Sequence, residues 1–247
     1  MKKILVFIFA LFSSSAFAQD IIKTKSAEIK IHPILHGTLA IEYNDITIYV
    51  DPYGGAEGFK GLNDADLILI TDIHGDHLNT ETLKALNTTN SHFIVPEAVA
   101  KQMEGINNDE IEVLDNDKST SLNGIDIKAI PMYNLPVDAE TRHPKGRGNG
   151  YLLSIADKTI YISGDTEDIP EMRALKNIDV AFVCMNLPYT MSVDKAADAV
   201  LDFKPAIIYP FHFRGQGGLA DVEKFKSLVN DKNDNIEVRL RNWYPEN

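Results

Sequence analysis

The chain has 247 residues, 24 Lys+Arg against 36 Asp+Glu, a formal net charge of −12, 44% hydrophobic residues and one cysteine. This composition describes one medium-sized globular domain and excludes disorder, a collagen-like repeat and a disulfide-stapled mini-protein. No basic field is left to attract a polyanion, so neither nucleic acid nor an anionic membrane surface is expected as a partner, and no protein partner is implied.

Residues 1–18 read as a secretory signal: Lys2-Lys3, nine apolar residues over 4–12, three serines, and Ala16-Phe17-Ala18 ahead of Gln19. Nine apolar residues are too few to span a bilayer, which takes about 20. Cleavage near Ala18 removes two lysines and no acid, so a periplasmic or secreted domain of residues 19–247 is expected, with a charge of −14. In chain order, strands are expected at 37–43 and 46–50 around Asn44-Asp45, then a buried strand at 67–70. Helices follow at 80–86 and 96–103. The pair Asn123-Gly124 marks a hairpin ahead of a strand at 125–132, and strands at 151–155 and 159–162 flank a turn. Cys184 ends the apolar run 180–184 and reads as a buried strand residue, not a nucleophile. Val193, Ala196, Ala197, Val200 and Leu201 recur at helical spacing behind the N-cap candidate Ser192 and stop before Pro205. A strand at 206–210 and a helix at 219–229 complete an α/β layered domain with mixed sheets.

The chemistry concentrates where the strand 67–70 runs out into Thr71-Asp72-Ile73-His74-Gly75-Asp76-His77. In an extended segment Asp72, His74 and Asp76 lie on one side, and Gly75 then lets the chain turn so that Asp76 and His77 approach from another direction. Nitrogen and oxygen ligands converging in this way suit zinc, manganese or iron, and two clusters of them suit a pair of metals. A polar loop capping the next helix is the plainer alternative. Two further strands end in candidate ligands: Gly164-Asp165-Thr166 follows 159–163, and Phe211-His212-Phe213 follows 206–210.

The order of strand, His-x-Asp-His, Gly-Asp-Thr and a strand ending in His resembles the metallo-β-lactamase superfamily, nearest its branch of ascorbate-phosphate lactonases and metal-dependent hydrolases. Leu35-His36-Gly37-Thr38 and Tyr49-Val50-Asp51-Pro52 extend the resemblance over nearly the whole mature chain. It implies a four-layer αββα sandwich with two divalent metal ions at one edge, zinc first, with manganese or iron as alternatives. His74 would serve the first metal, Asp76, His77 and His212 the second, and Asp165 would bridge both. Asp51 and His36 would support the site. The chain departs from the family at two positions: Asp72 stands where a His opens the loop, and Asn134 stands where a His ends the strand 127–133. Asp72 would supply a carboxylate oxygen and harden the first site, and His143 is the nearest replacement for the missing imidazole.

The expected function is therefore an exported metal-dependent hydrolase acting on a small-molecule ester, lactone or phosphodiester, with Asp76 and Asp165 as catalytic residues. A metal pair would lower the pKa of water from about 15.7 toward 7. Lys145 and Arg147, with Asn134 and Tyr189, are the candidate substrate-binding residues, and the two cations would suit an anionic substrate. A non-catalytic metal- or ligand-binding protein on the same fold is the alternative. His32 and His92 carry no motif and read as core-edge or partly exposed.

Overall fold

The computed structural model describes residues 19–106 and 110–245; the expected signal segment 1–18 lies outside them. Seven strands form one sheet in sequence order: Asp20–Lys23 (β1), Glu28–Leu35 (β2), Thr38–Tyr43 (β3), Ile46–Val50 (β4), Leu67–Leu69 (β5), His92–Val95 (β6) and Ile111–Val113 (β7). The pairings from β1 to β4 are antiparallel and those from β4 to β7 parallel. Ser119–Leu122 (β8), Ile125–Met132 (β9), Gly148–Ile155 (β10), Lys158–Ile162 (β11), Val180–Cys184 (β12) and Ile207–Phe211 (β13) build the second sheet. After the small hairpin Arg214–Gly215 (β14) and Gly218–Leu219 (β15), Glu237–Val238 (β16) closes that sheet in the order β16-β13-β12-β11-β10-β9-β8.

Period-two alternation assigns the two faces of the first sheet. Ile48, Val50, Leu67 and Leu69 enter the core shared with the second sheet, while the intervening Tyr49 and Ile68 face the other way. There they pack with Leu83 of helix Thr80–Ala85 (α1) and Val99 of helix Glu97–Ala100 (α2). The second sheet is covered by Pro170–Arg173 (α3), Val193–Phe203 (α4) and Val222–Asn230 (α5), whose Met172, Val200 and Phe225 join the main core. The result is an αββα sandwich. Its parallel strand β12 is buried at every residue because both its faces are covered. Trp243 is fully buried edge-on against Phe182 and Phe211, at 6.3 and 5.8 Å, contacts worth about 0.5–1.5 kcal/mol each beyond the area they bury. That packing fixes the C-terminal segment, whose Trp243 carbonyl accepts from the His36 amide.

Helix α4 starts and stops where its sequence predicts, with the Ser192 hydroxyl accepting from the Lys195 amide. The helix expected over 96–103 shortens to Glu97–Ala100, because Gln102 and Met103 bond back three residues instead of four. The helix expected from 219 begins at Val222: Leu219 pairs with Arg214 in the β14–β15 hairpin, and Asp221 provides the cap. Cys184 is buried and unpaired, and burial pushes its thiol up to about 12. Native protein should therefore leave a thiol-specific disulfide reagent unreacted at pH 8 and give one equivalent of product once denatured.

Candidate metal centre

Five of the seven histidines converge at one edge of the sandwich, beyond the ends of strands from both sheets. β2 ends into His36, β4 into Asp51, β5 into the 71–77 segment, β11 into Asp165 and β13 into His212. His36, Asp51 and His212 adopt positive φ angles of 60°, 45° and 45°. Non-glycine residues hold that conformation at a cost of order 1–3 kcal/mol each, so the surrounding packing over-determines these three corners. Gly37 is required by a close approach: a Cβ there would lie 2.7 Å from the His212 ring.

The segment after β5 turns around Gly75, as expected. The amides of His77 and Leu78 both bond to the His74 carbonyl, so the chain turns at once and divides the acids. Asp72 and His74 join His143 in one group, while Asp76 joins His36 and His212 and His77 joins Asp165 and His212. Asp165, 3% exposed, stands between the groups. Its Oδ2 lies 3.2 Å from His143 Nε2 and 3.5 Å from His77 Nε2, and its Oδ1 lies 3.6 Å from His212 Nε2.

The donor chemistry of this centre fits divalent cations. His74 Nδ1, His77 Nε2, His143 Nε2, His212 Nε2 and Asp165 Oδ1 are buried without an aligned hydrogen-bond partner among the described residues, an expensive condition for polar atoms unless a cation satisfies them. His74 Nδ1 even sits 2.6 Å from Asp72 Oδ2 without hydrogen-bond alignment, the spacing of two ligands aimed at a common point. The neighbours set the tautomers. Asp51 accepts from the Thr71 amide and hydroxyl and lies 2.8 Å from His77 Nδ1, which puts the proton there and turns the Nε2 lone pair inward. Asn134 Oδ1, which can only accept, lies 3.1 Å from His143 Nδ1 and does the same for that ring.

Electrostatics agree. Burial opposes a charge on His77, yet the Asp51 and Asp165 carboxylates on either side raise its pKa well above the ordinary imidazole value. Burial also opposes ionisation of Asp165, but His212, His77 and the contact with His143 hold its carboxyl well below the usual range. Asp76 is likewise held low, its desolvation outweighed by His212 and His36. The centre as a whole stabilises positive charge among fixed carboxylates.

Each of the four residues expected to bind substrate has partners within the protein. Asn134 is buried, its amide engaged with His143, the Tyr189 carbonyl and Glu167, and it thereby orients a candidate ligand. Arg147 reaches inward and forks onto Asp72, with Nε and Nη2 at 3.0 and 2.9 Å from the two carboxylate oxygens. Lys145 pairs with Glu171 at 2.6 Å over the Tyr133 ring. Tyr189 is half-buried beneath the Arg142 guanidinium, 4.5 Å from its ring centre. His32 pairs with Glu42, and His92 with Glu110 and Glu112.

Three contributors are not evident from sequence. Thr71 completes the Asp51–His77 contact and lies in the motif itself, so its position was available. Tyr244 is 2.7 Å from His36 Nδ1 and accepts from the Arg214 amide, and nothing in the sequence near it announces that role. Arg142 directly precedes His143 and stacks on Tyr189, a pairing across 47 positions that no local motif announces. Replacing Asp51 by Asn presents an amide N–H₂ to His77 Nδ1 and removes the charge behind that ring. A chelator-competition titration should then show metal affinity about 10–100-fold lower.

The same architecture recurs in known proteins. A metal-dependent hydrolase of Pyrococcus horikoshii is 30% identical over 83% of this chain and 93% of its own length. The crystal structure of a protein described as a candidate metal-dependent hydrolase, from Parabacteroides distasonis, superposes with a TM-score of 0.82 at 38% identity, covering 93% of this chain and all of that one. A metallo hydrolase of Ignicoccus hospitalis, 21% identical with a TM-score of 0.73 over 86% of this chain and 94% of its own, shares the fold. The family model described as the beta-lactamase superfamily domain matches residues 30–212, a span running from β2 through His212 that contains all the residues of the centre. With both sheets and that match in place, the chain belongs to the metallo-β-lactamase superfamily.

Proposed function

We propose that this protein is exported and uses two divalent cations to hydrolyse a small anionic ester or lactone. The chain is a metal-dependent hydrolase of its superfamily, as its relatives are named. The observation that carries the finer reading is the buried Asp165 carboxylate facing imidazoles from three separate loops, whose inward nitrogens have no other partner.

Asp72, His74 and His143 would hold one ion, Asp76, His77 and His212 the other, and Asp165 both. Bound there, divalent cations supply an acidified water and polarisation of the scissile group. The protein's own side chains do the rest. Asp76, ionised and with its side chain one-third exposed, is placed to accept a hydrogen bond from an entering water and orient it. Tyr244 accepts from the Arg214 amide, so its hydroxyl donates to His36 Nδ1; the ring proton then lies on Nε2, 3.2 Å from Asp76 Oδ2, and holds that carboxylate in place. Arg142 and Arg214 stack on Tyr189 and Tyr244, neither with an ion pair among the described residues, and supply the positive charge for an anionic substrate. Carboxylic ester and lactone rank above phosphodiester by analogy with the family, and a β-lactam ranks lower because the first cluster contains Asp72.

Three tests follow. Protein reloaded with zinc or manganese and screened against lactones, phosphodiesters and nitrocefin should turn over a member of the first class; Asp165→Asn and His77→Ala should each lower kcat at least about 100-fold while keeping the fold by circular dichroism. Full turnover in either variant would remove those residues from the chemistry. Arg214→Ala should raise KM for an anionic substrate about tenfold and spare a neutral analogue. Export predicts a mature product beginning at Gln19 by N-terminal sequencing of the secreted or periplasmic fraction, a cut that leaves β1 intact from Asp20.

A further inference from the structure

Arg147 is a built feature of the centre. Gly148 follows it, and a Cβ at that position would lie 2.7 Å from the Thr71 carbonyl and 2.5 Å from the Met132 side chain, so only glycine lets β10 press against the start of the 71–77 segment. The Asn149 amide bonds to the Thr71 carbonyl and the Asn116 side chain to the Gly148 carbonyl, which fixes the approach. Held there, the guanidinium meets a fully buried carboxylate with both of its near donors. A bidentate fork of this kind is among the stronger charge-assisted contacts in proteins.

The two halves of the centre then carry different charge. Asp165 stands between the halves and adds its charge to both; on one side Asp76 also faces His212, and Asp51 adds a further carboxylate behind His77. On the other, the charge of Asp72 is matched by Arg147, and both Asp72 oxygens already accept hydrogen bonds. A divalent cation entering the Asp72–His74–His143 group meets a neighbouring monocation in a buried setting, where like charges repel far more strongly than in water.

From this, and resting on the metal-centre reading above, we infer that Arg147 lowers the metal affinity of the Asp72–His74–His143 side, so that the Asp76–His77–Asp165–His212 side fills first. The centre loads in two separated steps, and Arg147 sets the gap. The arginine expected to contact substrate instead regulates occupancy of the first site.

Calorimetric titration of chelator-stripped protein with zinc alone, repeated with manganese, tests this without any assay of turnover. Wild type should bind two ions with dissociation constants at least about tenfold apart. Arg147→Met, which keeps the stem and removes the charge, should tighten the weaker step at least about fivefold and leave the stronger step unchanged. Arg147→Gln, neutral but still able to donate to Asp72, should behave like Arg147→Met and serves if the methionine variant does not fold. His212→Ala should remove the tight step first. Two equal steps in wild type, or a weaker step that loosens or stays unchanged in the neutral variants, overturn the inference alone. No metal uptake by wild type or variants overturns the metal-centre reading together with the inference.

Discussion

A carboxylate buried among imidazoles is the constraint on which the rest of the molecule depends. Asp165 loses its hydration at the meeting point of two sheets, and an isolated charge there would be costly. It stays ionised because His77, His143 and His212 arrive from three separate loops and surround it. Each of those rings has to be aimed: buried Asp51 and Thr71 lie behind His77, buried Asn134 behind His143, and against His212 the His77 ring is stacked and the part-buried His36 ring tilted. The left-handed corners at His36, Asp51 and His212 are the backbone counterpart of the same demand. A looser fold would relax them and lose the convergence.

Two pairs of residues hold the Asp72–His74–His143 group in place. Asn134 Oδ1 accepts from the His143 amide and lies 3.1 Å from its Nδ1. The Asn134 amide also bonds to the His143 carbonyl, so the two residues hold one another. Asp72 is coupled likewise to Arg147, since an unpaired carboxylate at that depth would be destabilising.

Much of this was legible in the sequence because hydrophobic patterning and polar chemistry change at the same points. The apolar run at 67–70 gives way to Asp72, His74, Asp76 and His77 within one turn, and the strands before Asp165 and His212 end as abruptly. The layered α/β organisation and the place of Cys184 followed from the same contrast, whereas the four-layer αββα arrangement was implied only by the family resemblance. What escaped is contact between residues distant in sequence: Arg147 reaching Asp72 across 75 positions, and Tyr244 reaching His36 across 208. Glycine marks a left-handed turn in a sequence, but His36, Asp51 and His212 carry no such mark, so these three corners were invisible.

One contact far from the centre bears on how the fold is wired. Arg241 forks onto Asp20 at 2.6 and 2.7 Å, with Arg239 alongside, and so ties the first strand of one sheet to the segment following the last strand of the other. The two ends of the described chain therefore meet at a shared corner. Strand order and ligand geometry are separable there: a chain joined by a linker across that corner and opened at the 123–124 turn would keep every strand and every ligand loop unbroken. The centre is a property of how the sheets face each other, indifferent to where the polypeptide starts.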